Sequence, residues 1–151
     1  MNKRTRHKFK EKMPSLTYEE YFHRRFDSQV RLVRELERVL GRKKAFEILG
    51  RASEKSAVDS IKKEIAEKGQ IKNFEEFKAD MKKDENSPFW THTLTVEYLE
   101  ETPRKFATRV TECLWAKTFK ELNATDIGYV LSCRPDFAMA RAQHPKLRLK
   151  R

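Results

Sequence analysis

Glycine and proline are scarce in this chain, with four and five among 151 residues. Long irregular connections therefore have little to be built from, and regular elements should follow one another closely. Cysteine is scarcer still. The N-terminus is basic but has neither the apolar core nor the small-residue cleavage site of a secretory signal. Two thiols in such a chain, Cys113 and Cys133, are expected to be reduced rather than bridged. No apolar run approaches the ~20 residues that span a bilayer, and the expected compartment is the cytoplasm. Cys-x-x-Cys pairs, a His-Glu-x-x-His helix and a Gly-rich phosphate loop are missing. The helical first part holds no His, Cys or Asp cluster at ligand spacing. No metal site is assigned, and no cofactor is identified.

Apolar and charged residues are abundant. Hydrophobic residues make up 38% of the chain, with ten Phe and two Trp, which is ample for the core of one domain of this length. The net charge of +11 is unevenly placed. Residues 1–13 carry six Lys/Arg against one Glu, residues 141–151 carry five with no acid, and the body between them is left at +1. That pattern describes basic tails rather than a continuous cationic face. Contact with nucleic acid is expected to be weak, salt-sensitive and indifferent to sequence.

Residues 1–15 lack periodicity and are expected to form a basic flexible tail. Residues 16–151 then form a single domain, helical over 16–84 and carrying the sheet and the chemistry over 89–151. Thr17 and Glu20 have capping-box spacing. Tyr18, Phe22, Phe26, Val30, Val33, Leu36 and Leu40 mark one helical face, which Gly41 ends. A second helix over 42–68 carries Phe46, Leu49, Ala57, Ile61 and Ile65 and stops at Gly69. Asn73 caps a third, with Phe74, Phe77 and Met81 inward and Glu76 at capping-box spacing. From Phe89 the period changes to two: Trp90, His92, Leu94, Val96 and Tyr98 oppose a run rich in threonine. A turn over 101–104 and the alternation from Phe106 to Glu112 complete an antiparallel hairpin. Leu114 to Leu122 returns to helical spacing. Asn123 breaks that helix, Thr125 can cap another running to Cys133, and Arg134-Pro135-Asp136 stops it. Residues 146–151 alternate again and predict a third strand. The expected class is α+β: N-terminal helices packed on a small antiparallel sheet, with a helical insertion between strands.

Chemistry concentrates in the last third. Cys113 stands where a strand becomes a helix, and a helix N-terminus favours a thiolate. Cys133 stands at an expected helix C-terminus, which does not, so Cys113 ranks first as a nucleophile. The ordinary role of either thiol is that of a small core residue. Asp136 is a candidate general base whose ordinary role is capping. Arg109 or Arg148 can meet a carboxylate, although surface arginines are usually just solvated. His92 is expected to be buried and satisfied, and His7 and His23 carry no signal.

The segments Cys113-Leu114-Trp115-Ala116, Glu121-Leu122-Asn123, Gly128-Tyr129, Cys133 with Asp136, and the basic run from Pro145 to Arg151 resemble, in that order, the L-2-amino-thiazoline-4-carboxylate hydrolase family. The resemblance covers the last third well and the remainder loosely. It departs at His144, where the family has Asn before proline, and the sequence stops at Arg151, before the family's final strand with its third cysteine position: either it is cut there or this member is expected to lack that strand. The resemblance implies a hydrolase that opens a small sulfur- and nitrogen-containing ring to N-carbamoyl-cysteine. It also implies Cys113, Cys133 and Asp136 as catalytic residues around one pocket, and Arg109, Trp115, Tyr129 and Arg148 as substrate-binding residues. A non-catalytic ligand-binding or sensor module on the same fold is the alternative, favoured by the missing strand. A nucleic-acid-binding protein is a third reading, opposed by the balanced middle of the chain. The expected partner is a small molecule rather than a membrane, with oligomerisation possible through the sheet edge.

Overall fold

Thr17 opens the first helix by the reciprocal bonding its spacing predicts. Its hydroxyl accepts the Glu20 N–H at 3.1 Å, and the Glu20 carboxylate accepts the Thr17 N–H at 2.9 Å. The computed structural model describes residues 15–151; the expected flexible tail, residues 1–15, lies outside the described residues except for Ser15. Helix α1 spans Tyr18–Leu40 and buries Phe22, Phe26, Val30 and Val33, the stripe legible in the sequence. Gly41, at φ 79°, turns the chain directly into α2 (Arg42–Lys68). Helix α3 (Phe74–Glu85) begins at Asn73, whose side chain accepts the Glu76 N–H at 2.9 Å.

The residues from Phe89 to His92, expected to begin a strand, instead belong to a helical turn, α4 (Pro88–Thr91), and its C-cap. Pro88 at the first helical position is the cause: its fixed φ is already helical and its missing N–H is not needed there. The Thr91 and Thr93 hydroxyls reinforce the turn by donating to Ser87 O at 3.2 Å and Phe89 O at 2.9 Å. The hairpin follows as β1 (Leu94–Glu101) and β2 (Phe106–Cys113), antiparallel, with register shifts between Thr95 and Val96 and between Tyr98 and Glu100. Lys78 of α3, itself buried, reaches the Glu75 carboxylate at 2.8 Å and Thr102 O at 3.3 Å, holding the hairpin tip. Most hairpin side chains face solvent.

Strand β2 runs without a break into α5 (Leu114–Glu121). Asn123, at φ 52°, makes the turn, as expected of a residue that tolerates the left-handed region. Then come α6 (Thr125–Gly128), a π-helical turn over Tyr129–Cys133, and α7 (Pro135–Gln143). Thr125 does not cap α6; Ala124 takes that position, without a side-chain bond. Arg134-Pro135-Asp136 does not stop the helix either, because Arg134 stays helical at φ −62°, ψ −39°. Residues 146–151 form no strand, so the sheet keeps two strands and the last helices follow the hairpin. A strand exists only through a partner, and this segment bonds locally and to α7: Arg148 donates to Pro145 O and Leu147 O, and Arg151 to Asp136.

The class is α+β, with its core among helices α1, α5 and α6. Phe22, Phe26, Val30 and Val33 meet Leu114, Phe119, Ala124 and Ile127. Among the described residues no helix is long and apolar enough to cross a membrane. Among the described residues one core atom is uncompensated: the Thr118 hydroxyl is fully buried with no hydrogen-bond partner there. Replacing it by a methyl group removes that desolvation cost with almost no change in volume. Thr118→Val should raise stability by about 1 kcal/mol, read as a shift of the urea midpoint at constant slope.

Candidate functional site

Cys113 is the last residue of β2 and the N-cap of α5, where its Sγ accepts the Ala116 N–H at 3.5 Å. The sulfur therefore sits on the positive end of a helix dipole, against one of the N–H groups that a helix start leaves unpaired. Beside it lies an aromatic cluster. Trp115 stacks on Trp90 at 5.6 Å between ring centroids and meets Phe22 edge-on at 4.8 Å. His92 stacks on Tyr18 at 5.0 Å.

The second thiol is positioned by the π turn, which has a readable cause. The Arg134 N–H donates to Tyr129 O at 2.9 Å, one residue further back than in an α-helix. Val130 O thereby loses its usual donor, and the next residue, Pro135, has no N–H to offer. Ser53 of α2 fills the gap: its hydroxyl lies 2.9 Å from Val130 O, and 3.0 Å from Gly50 O in its own helix. Gly50 makes room for the rest. A Cβ there would lie 2.6 Å from Arg134 Nη1, because the guanidinium rests on the bare backbone while Arg134 Nε donates to Glu54 Oε1 at 2.7 Å. The turn that carries Cys133 is thus fastened to α2 at three points, and π turns of this kind recur at functional sites.

Asp136 follows Cys133 by three residues, at the start of α7. Burial pushes its carboxyl above the usual range, and the charge and hydrogen bond of Arg151 offset part of that rise. Arg151 also lies over the Phe137 ring, 5.9 Å from its centroid.

Another carboxylate secures α6 to the rest of the fold. Asp126 accepts from Arg34 at 3.0 Å and Arg42 at 2.8 Å, and both arginines also hold Glu37. Burial pushes the Asp126 carboxyl up, but the arginine hydrogen bonds and the Ile127 N–H outweigh it and hold it at about 2. A depressed carboxylate contributes stability above its unfolded value near 3.9 and loses it as pH falls toward the folded one. The pair is partly solvent-screened, so the loss between pH 5 and pH 2 should be about 1–2 kcal/mol. Denaturant unfolding across that range should show it, and Asp126→Asn should remove this component.

The other expected site residues are dispersed. Arg109 lies on the exposed hairpin, 3.6 Å from Glu97. Tyr129 begins the π turn and is 53% exposed. Trp115 is partly buried against the core. Arg148 is engaged with main-chain oxygens of Pro145 and Leu147. The structure brings Cys133 and Asp136 together on one helical segment and places Cys113 at the start of another. A cavity of about 60 Å³, lined by Ile61, Ile65, Phe77 and Met81 among others, lies where α2, α3 and the end of α7 meet. An open hollow lies at the α1–α2 junction. Neither is lined by Cys113, Cys133 or Asp136. Among the described residues no group of three or more His, Cys, Asp or Glu side chains is placed to hold a metal ion. Sequence reasoning missed Gly50, Ser53, Glu54 and Phe137. The available signal for the first three was Pro135 itself, which leaves a carbonyl to be satisfied wherever a helix continues through it.

The sequence model of the L-2-amino-thiazoline-4-carboxylic acid hydrolase family matches residues 18–151. No curated protein and no solved structure gives a significant match.

Proposed function

We propose, from the premise that this chain belongs to the L-2-amino-thiazoline-4-carboxylic acid hydrolase family, that it opens 2-amino-thiazoline-4-carboxylate to N-carbamoyl-cysteine. The reacting atom is the ring carbon between sulfur and nitrogen. Cys113 Sγ adds to it, the bond to ring sulfur breaks, and the thiol proton ends on that sulfur. The carbon, now an amidine on Cys113, takes up water. The water oxygen becomes the urea carbonyl, one proton goes to the amidine nitrogen and the other returns to Cys113 as its bond breaks. Asp136 serves the proton transfers, with Cys133 one helical turn away. Arg109 or Arg148 meets the substrate carboxylate, and Trp115 and Tyr129 flank the ring. A thiol nucleophile needs a reducing compartment, for which the cytoplasm is the natural assignment.

The observation that carries this reading beyond the family match is the Cys113 sulfur held at the α5 N-terminus. The test is thiol release from 2-amino-thiazoline-4-carboxylate by the full chain, before and after alkylation with iodoacetamide. Activity should fall in step with modification of Cys113, followed by peptide mass. Full activity in protein alkylated at Cys113 would refute the assignment, and binding without turnover would point to a non-catalytic module.

A further inference from the structure

The contact between Arg151 and Asp136 has a chemistry that the reaction scheme does not use. After α7 ends at Gln143 the chain turns: Leu147 N–H donates to His144 O at 3.0 Å, and Lys146 N–H to His144 Nδ1 at 3.1 Å. It then returns far enough for Arg151 to reach Asp136, at the opposite end of the nine-residue helix. Such a helix is ~13 Å long, and the seven residues from 145 to 151 can span ~23 Å when extended, so the return is within reach. Among the described residues Arg148 bonds only to main-chain oxygens of its own turn. Arg151 bonds the Asp136 carboxylate and lies over the Phe137 ring. A carboxylate beside an aromatic face is how proteins hold a planar, delocalised cation. A guanidinium is one such cation. A protonated 2-aminothiazoline, a cyclic isothiourea, is another, with the same fork of two N–H donors on one carbon.

We propose that Asp136 and Phe137 form a binding site for planar amidinium-type cations, and that Arg151 occupies it as an internal stand-in which the ligand displaces. The inference rests on the hydrolase reading only for the choice of probe. It assigns Asp136 to gripping the nitrogen side of the substrate, leaving the reacting carbon open to a thiol. Arg151 is exposed and Asp136 half-buried, with side-chain accessibilities of 44% and 38%. Exposed pairs are weak, so the 144–151 strap is easily displaced. Its occupancy lowers apparent affinity only by the fraction of time the site is closed.

The experiment is calorimetric titration of the full chain with 2-aminothiazoline, which carries the amidinium without the carboxylate. Thiazolidine-4-carboxylate, a ring lacking the planar N–C–N fork, is the first control, and free arginine is the second. Arg151→Ala should bind 2-aminothiazoline about threefold to tenfold more tightly than the parent. Asp136→Asn should weaken binding about tenfold in the Arg151→Ala background, and less in the parent, where the same change also frees the site of Arg151. Arg151→Lys, which keeps the charge but not the fork, should fall between parent and Arg151→Ala. Thiazolidine-4-carboxylate should be insensitive to all three changes, and free arginine should compete with the probe. Equal affinity in parent and Arg151→Ala, undiminished binding when Asp136→Asn is added to Arg151→Ala, or no binding to any of them would overturn the proposal. Turnover of the carboxylated substrate is scored separately: turnover without the Arg151 effect sinks the stand-in alone, and the Arg151 effect without turnover sinks the hydrolase alone.

Discussion

Cys113→Ser should lower ring opening by about 10³-fold or more, the order seen when a covalent nucleophile is removed, while the melting temperature holds or rises slightly. The two halves of this expectation come from the same atom. The sulfur is an N-cap, accepting the Ala116 N–H, and serine is among the best residues for that task. The hydroxyl therefore keeps the cap while removing the nucleophile. A loss of activity cannot then be blamed on unfolding, which thermal melting of the same sample checks. Unchanged turnover with a retained fold would remove Cys113 from the chemistry and leave Cys133 as the thiol to test.

The largest expected effect on stability belongs to Gly128→Ala. Alanine for glycine inside a helix ordinarily gains about 0.5–1 kcal/mol. At Gly128 the added Cβ would lie 2.5 Å from Phe119 Cγ and 2.8 Å from its Cβ. Phe119 is 1% exposed and meets Phe26 at 4.7 Å between ring centroids, so the contacted atoms have nowhere to go. Overpacking of this kind costs about 1–3 kcal/mol, enough to outweigh the helix gain and lower the denaturation midpoint clearly. Gly50→Ala is the contrast. Its nearest obstacle is the end of the Arg134 side chain at 2.6 Å, which can swing away at the expense of its bond to Glu54. The stability change there should be small, within about 1 kcal/mol of zero. Equal losses at both glycines would contradict this packing account.

How much of the molecule could be read in advance depended on how local each cause is. Thr17 and Glu20, Asn73 and Gly41 are separated from their effects by four residues or fewer, and each acts as its spacing predicts; only Glu76 departs, its carboxylate accepting the Lys72 N–H rather than that of Asn73. The Cys113 cap is local in the same way. The segment from Phe89 to His92 failed because alternation and a proline at a helix start competed over five residues, and the proline prevailed. Residues 146–151 failed because alternation describes a strand but does not supply the edge it must pair with. Pro135 reads as a stop because the donor that lets the helix continue, Ser53, lies 77 residues before Val130, whose carbonyl it satisfies. For the candidate site, the spacing of Cys133 and Asp136 was legible, whereas the fastening of their turn to Gly50, Ser53 and Glu54 was not. Such partners become visible only once α2 and the π turn lie side by side.

The most direct test of the central claim is a single incubation of the full chain with 2-amino-thiazoline-4-carboxylate in heavy-oxygen water, with product mass read against a protein-free control. The hydrolase account predicts N-carbamoyl-cysteine formed well above the control rate, carrying one heavy oxygen in the carbamoyl group. Substrate recovered intact at the control rate, or product without the label, would contradict it.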